Sequence, residues 1–205
     1  NGRAIWALGY LISIADILPP DIIEEAELII RKALPNTYTT HSTRSIGFII
    51  KGLYYRNSKA DHPLIIELAD RLVQMFRHES DEEWVWYESY LTYANSILPE
   101  ALLCAWLATG KTVYKDIAKS SFDFLLEKTF NDDNIKVISN ITWLQKGEDQ
   151  PADHAGGEQP IDVAYTIIAL SKFYRHFREP SYQRKMESAF SWFQGNNHLN
   201  QIVYN

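Results

Sequence analysis

Hydrophobic and polar residues follow two patterns along this chain, and the two patterns take turns. In residues 20–34, Ile22, Ala26, Ile29, Ile30 and Ala33 share one helical face, while Glu24, Glu25, Arg31 and Lys32 take the other. Residues 62–79 repeat the stripe with Ile65, Leu68, Leu72 and Met75, and residues 112–128 with Ile117, Phe124 and Leu125. The intervening segments differ. Residues 46–55, 97–108 and 161–173 are apolar around most of the circumference, the pattern of a helix buried on all sides. Eight helices are predicted, at about 3–18, 20–34, 43–57, 62–79, 96–109, 112–128, 160–177 and 180–194. Only residues 135–143 alternate enough to suggest a short hairpin.

The connections alternate too. Those near 18–20, 57–61, 109–112 and 177–180 are short, and those at about 35–43, 80–95, 129–159 and 195–205 are long. In an up-down helical array every second connection lies at the same end, so one end is trimmed and the other decorated. Boundary residues agree: Pro19–Pro20 precedes the second helix, Pro63 and Pro99 fit first turns, and Gly110 fits a C-terminal cap. Outer amphipathic helices alternating with inner buried ones predict an all-α fold, an α/α toroid of the six-hairpin type or an α/α solenoid, with pairs recurring at roughly 50 residues. No linker divides the chain, so residues 1–205 read as one domain. About four helical pairs do not close a six-pair toroid. The chain also begins inside a helix and ends in a loop of the long type. It therefore reads as a fragment, truncated at the C-terminus and at the N-terminus.

Composition narrows the function. The net charge of −6 argues against nucleic acid, because phosphate binding wants clustered Lys and Arg. No apolar run is long enough to span a membrane. The lone Cys104 lies in an apolar run and fits a reducing, cytoplasmic setting. Six Trp and twelve Tyr exceed what a helical core needs, and both residue types suit amphipathic ligands.

The long connections hold the candidate chemistry. In 82–95, EEWVWYESYLTYAN, the rings of Trp84, Trp86, Tyr87, Tyr90 and Tyr93 surround Glu88, and Asn95 follows. Sugars offer C–H faces for rings to stack on and hydroxyl edges for Glu or Asn to bond. The plain alternative is an aromatic loop packed over the end of the core. In 155–165, AGGEQPIDVAY, Glu158 and Gln159 precede a helix on which Asp162 and Tyr165 share a face. A helix N-terminus favours carboxylates without any ligand, but Asp162 lies on an otherwise apolar helix and needs a buried partner. In 195–205, GNNHLNQIVYN, Asn197 and His198 belong to a neutral hydrogen-bonding cluster that fits hydroxyls or a solvated turn. Arg3, Trp6, His41 and Arg44 open the first and third helices at the same end. Neither a metal site nor a cofactor is predicted: zinc-type Cys/His spacings and phosphate-cradling glycine loops are missing.

The segments GEQPIDVAYTIIAL, WFQGNNHLNQIVYN and WVWYESYLTYANSILPEAL resemble a bacterial family of helical toroid domains associated with glycosyltransferases. The resemblance extends over nearly the whole chain and implies the six-hairpin toroid. It implies no particular reaction. The expectation is a carbohydrate-active domain binding an oligosaccharide at its long-loop rim. If it is catalytic, glycosidic-bond chemistry needs one protonated and one ionised carboxyl. Glu88 is then the acid, desolvated by its aromatic neighbours, and Asp162 or Glu158 the second carboxylate. Arg3, Trp6, His41, Trp84, Trp86, Tyr93, Asn95, Gln159, Tyr165, Asn197 and His198 contact the sugar. The alternative is a non-catalytic glycan-binding or scaffold module beside a glycosyltransferase domain in the same protein.

Overall fold

The computed structural model describes residues 2–132, 134–139, 141, 143–148, 157–197 and 199. The fold is all-α, with eight α-helices among the described residues: α1 (Gly2–Ser13), α2 (Pro20–Ala33), α3 (Thr43–Arg56), α4 (His62–Glu79), α5 (Ile97–Thr109), α6 (Thr112–Thr129), α7 (Pro160–Phe177) and α8 (Pro180–Trp192). The predicted first helix is shorter than expected. α1 stops at Ser13, a 3-10 turn occupies Ala15–Ile17, and Leu18 is extended, as the residue before a proline prefers.

The odd helices form one layer, with α1 on α3, α3 on α5 and α5 on α7. The even helices lie outside, each packed on the odd helix before it, and α4 also touches α6. Residues 97–105 of α5 are all buried, as are ten residues of α3. That all-round burial is why neither sequence shows a polar stripe. α1 approaches α3 so closely that a Cβ on Gly9 would overlap the Gly52 carbonyl, so the crossing requires glycine on both sides. On α2 the buried stripe is only Ala26 and Ile30. Ile22 and Ile29, expected on that face, are exposed, because α2 packs mainly on α1, with the Glu27–Arg56 ion pair reaching α3, and leaves its flanks open. α7 likewise keeps Ile161 and Ile168 exposed.

Three of the four short connections share a device. Asn57, Gly110 and Arg178 end α3, α5 and α7 in the left-handed conformation and turn the chain directly into the next outer helix. The long connections meet at the other end. β1 (Tyr90–Leu91) pairs antiparallel with β4 (Leu144–Gln145), and β2 (Phe130–Asn131) with β3 (Asn134–Ile135). The hairpin expected within 135–143 is thus not the pairing formed among the described residues. Ile135 pairs back to Phe130, and residues 140 and 142 lie outside the described set. The β1–β4 ladder stitches two long connections together, so both belong to one rim.

An ion cluster crosses the inner layer. Lys51 Nζ on α3 lies 2.6 Å from Glu100 Oε2 on α5, both fully buried, and Lys172 Nζ on α7 lies 3.7 Å from Glu100 Oε1. Three inner helices are therefore held in register by charge as well as by packing.

Candidate functional site

The rim site is built around one buried cation, Arg44. Arg44 enters in the first turn of α3, behind a cap in which Ser42 accepts from the Ser45 amide. Its guanidinium donates from Nε to the Tyr93 carbonyl at 3.1 Å. Nη2 donates to Thr92 Oγ1 and to Asn95 Oδ1, each at 3.1 Å, and Nη1 binds Glu88 Oε2. Asn95 also accepts from the Thr92 amide and donates to the Thr92 carbonyl. Arg44 thus ties the whole 88–95 turn to α3. A planar fork of five N–H groups suits that task.

The Tyr93–Ala94 peptide unit is clamped from both sides. Its carbonyl accepts from Arg44, and its N–H donates to Asp162 Oδ1 on α7. Ala94 sits at φ 51°, a left-handed conformation that costs a non-glycine residue about 1–2 kcal/mol. Strain of this kind persists only where the surroundings enforce it. The clamp leaves Tyr93 46% exposed, with the Arg44 guanidinium 5.6 Å from the ring centre. Tyr93 stands at a pocket of about 370 Å³ lined by Arg3, Ser42, Arg44, Ser45, Phe48 and Tyr93. Arg3 lies over the Phe48 ring at 5.2 Å.

Asp162 is the perturbed acid of this region. Burial pushes its pKa up to about 6, against the opposing pull of the Ala94 amide, Arg44 and Arg3. Glu88 lies in the ion pair with Arg44, its side chain 11% exposed.

Nine of the predicted residues fall into three groups. Glu88, Tyr93, Asn95, Asp162 and Arg3 gather around Arg44. Trp6 and Tyr165 form an aromatic cluster with Phe48 beneath them, the Trp6–Phe48 centroids lying 5.5 Å apart and Trp6–Tyr165 5.9 Å apart. Tyr165 is buried there, so its expected sugar contact is replaced by packing. Glu158 and Asn197 gather instead around Trp192 on α8. The Trp192 indole donates to Glu158 Oε2 at 2.7 Å, and Asn197 donates to the Trp192 carbonyl at 2.9 Å. Gln159 caps α7 through its backbone carbonyl, and His41 is exposed just ahead of the Ser42 cap. His198 lies outside the described residues.

Trp84 and Trp86, expected to stack on a ligand, do not reach solvent. They are 3% and 0% exposed, pack against Phe124, and belong to the main core. The Trp84 indole donates to the Glu88 carbonyl at 2.7 Å, so it supports the loop from inside. The loop buries the first three aromatics of its run, Trp84, Trp86 and Tyr87, and exposes a later one, Tyr93. Arg44 is the residue that sequence reading undervalued. An arginine opening an otherwise apolar helix needs buried acceptors, and that was the available signal.

No protein-family model, no curated protein and no solved structure matches this chain.

Proposed function

We propose that this chain is a carbohydrate-binding helical domain whose ligand sits in the rim pocket, with Tyr93 as its stacking platform. One observation carries the reading: a clamped peptide presents an exposed tyrosine ring beside Arg3, Ser42 and Ser45, at a pocket of about 370 Å³. An aromatic face beside hydroxyl and guanidinium donors is the combination a sugar ring needs. The two-layer alternation, with the described parts of the long connections at one end, supports an arc of an α/α toroid as the parent architecture. The segments resembling glycosyltransferase-associated domains support a glycosyltransferase domain as partner, and the buried thiol of Cys104 supports a reducing, cytoplasmic setting.

Binding is favoured over catalysis because all three candidate carboxylates are engaged by protein, Glu88 by Arg44, Asp162 by the Ala94 amide and Glu158 by the Trp192 indole. The hydrolytic reading rests on Asp162 alone, whose pKa near 6 suits a proton donor. That reassigns the acid from Glu88 to Asp162.

Titration calorimetry against a panel of oligosaccharides tests the proposal. Aromatic stacking on bases is worth about 1–3 kcal/mol, and a sugar should gain a similar or smaller amount. Tyr93→Ala should therefore weaken binding by about tenfold, one decade being about 1.4 kcal/mol. Absence of binding to every glycan, or full affinity in Tyr93→Ala, removes the reading. A reducing-sugar assay decides the second reading: turnover abolished in Asp162→Asn with binding retained would establish it.

A further inference from the structure

A second cleft, lined by other residues than the rim pocket, opens between α1, α3 and α7. Its volume is about 670 Å³, within the size range of small-molecule sites. Tyr10, Tyr54 and Tyr55 supply aromatic walls, and Ile168 an aliphatic one. Lys172, Arg175 and His176 also line it, whereas no Asp or Glu does among the described residues.

Charge accounting shows why this matters. Behind the cleft, one carboxylate, Glu100, faces two ammonium groups, Lys51 and Lys172. Among the described residues the cluster therefore carries one uncompensated positive charge. Lys51 is sealed, while Lys172 keeps 10% of its side chain exposed, so the excess charge emerges at the cleft. Lys172 Nζ donates to Tyr55 Oη at 3.1 Å and lies 4.6 and 4.5 Å from the Tyr54 and Tyr55 ring centres. One helical turn on, Arg175 is exposed and has no ion-pair partner among the described residues. His176 reports the same field: burial, then Lys172, Arg175 and Arg178, hold its pKa below the ordinary value. Trp6 also lines the cleft, and its indole N–H is buried with no hydrogen-bond partner among the described residues. A partly desolvated, one-signed site favours binding of the opposite charge.

We propose that this cleft binds an organic anion with a flat apolar body, an aryl carboxylate or aryl phosphate. The anionic head lies between Lys172 and Arg175, and the ring packs against Tyr10 and Tyr55. Both groups deliver charge-assisted bonds to an oxyanion, and arginine does so in a bidentate fork.

The test is calorimetric titration of the full chain with naphthalene carboxylate and naphthyl phosphate. Naphthylmethylammonium serves as the charge control and inorganic phosphate as the control lacking a ring. Saturable binding of at least one aryl anion, about tenfold or more tighter than either control, is expected. The preference between the two anions identifies the head group. Arg175→Ala, at an exposed position that leaves the buried cluster intact, should weaken that binding about tenfold, the worth of a hydrogen bond to a charged group. Tyr93→Ala should leave it unchanged, so this outcome is separable from the rim proposal. Failure of both anions to saturate, equal affinity for the ammonium analogue, or full affinity in Arg175→Ala would overturn it.

Discussion

Replacing Glu100 with Gln should be among the most damaging isosteric changes available in this protein. The side chain keeps its volume, so no cavity forms, and the whole effect is electrostatic. Lys51 Nζ sits 2.6 Å from Glu100 Oε2 with neither side chain exposed, and Lys172 lies 3.7 Å from the other oxygen. The variant leaves two ammonium groups facing a neutral amide, one of them without any route to water. Breaking a buried pair in this way costs about 3–5 kcal/mol. A domain's total stability is about 5–15 kcal/mol, so the variant keeps its fold narrowly if at all. At about 2–4 °C per kcal/mol for a chain of this size, the melting temperature should fall by about 6–20 °C. Urea titration followed by circular dichroism measures the loss as a fall in midpoint at constant slope. The companion variant Lys51→Met with Glu100→Met removes both charges at similar volume and should recover most of the loss. Lys172 retains Tyr55 and its own solvent contact at the cleft. A loss below about 1 kcal/mol in Glu100→Gln would refute the reasoning, because it would mean that water already reaches the pair.

Two further predictions concern the inner helices. Asp162 has a folded pKa of about 6 against an ordinary 3.8, so the folded chain holds this proton more tightly. Its contribution to stability is fully present below about pH 4 and is lost as pH rises through about 6. At about 1.4 kcal/mol per pKa unit the gap is worth about 3 kcal/mol. Asp162→Asn, which does not titrate, should therefore gain on the wild type by up to about 3 kcal/mol between pH 4 and pH 8. Urea midpoints at several pH values check this, and a pH-independent difference counts against it. Gly9→Ala should destabilise by about 3 kcal/mol, since its Cβ would meet the Gly52 carbonyl and force α1 off α3. An unchanged melting temperature would show that the helices can slide apart at no cost.

The eight helices and both sets of connections were legible because each rests on a local, periodic signal. Leu68 and Leu72 announce the buried stripe of α4, and Pro20, Pro63 and Gly110 mark ends whose backbone geometry only a few residue types tolerate. The rim was legible only as a place. Trp84, Trp86 and Tyr93 look alike in sequence, yet the first two are core and the third is exposed. What separates them is Arg44, 49 positions away from Tyr93 along the chain, and no spacing within the loop encodes that partner. The same holds for Glu158, which turns to Trp192 on α8. Asp162 drew attention as a polar residue in an apolar helix. Lys51, Glu100 and Lys172 are polar residues in apolar helices too, but the pairing among them cannot be read from spacing.

The clamp on the Tyr93–Ala94 peptide has a consequence for communication within the molecule. A peptide unit is a rigid plate, so its carbonyl and its N–H cannot be re-aimed independently. A molecule that presses on the Tyr93 ring and rotates this plate strains the bond to Arg44 on α3 and the bond to Asp162 on α7 together. Occupancy of the pocket and the seating of α7 are then linked quantities, and the link runs equally in both directions. Protonation of Asp162 enters the same balance, because it changes what the Ala94 N–H meets. The exchange rate of that single amide proton becomes a gauge, readable from afar, of events at the tyrosine ring.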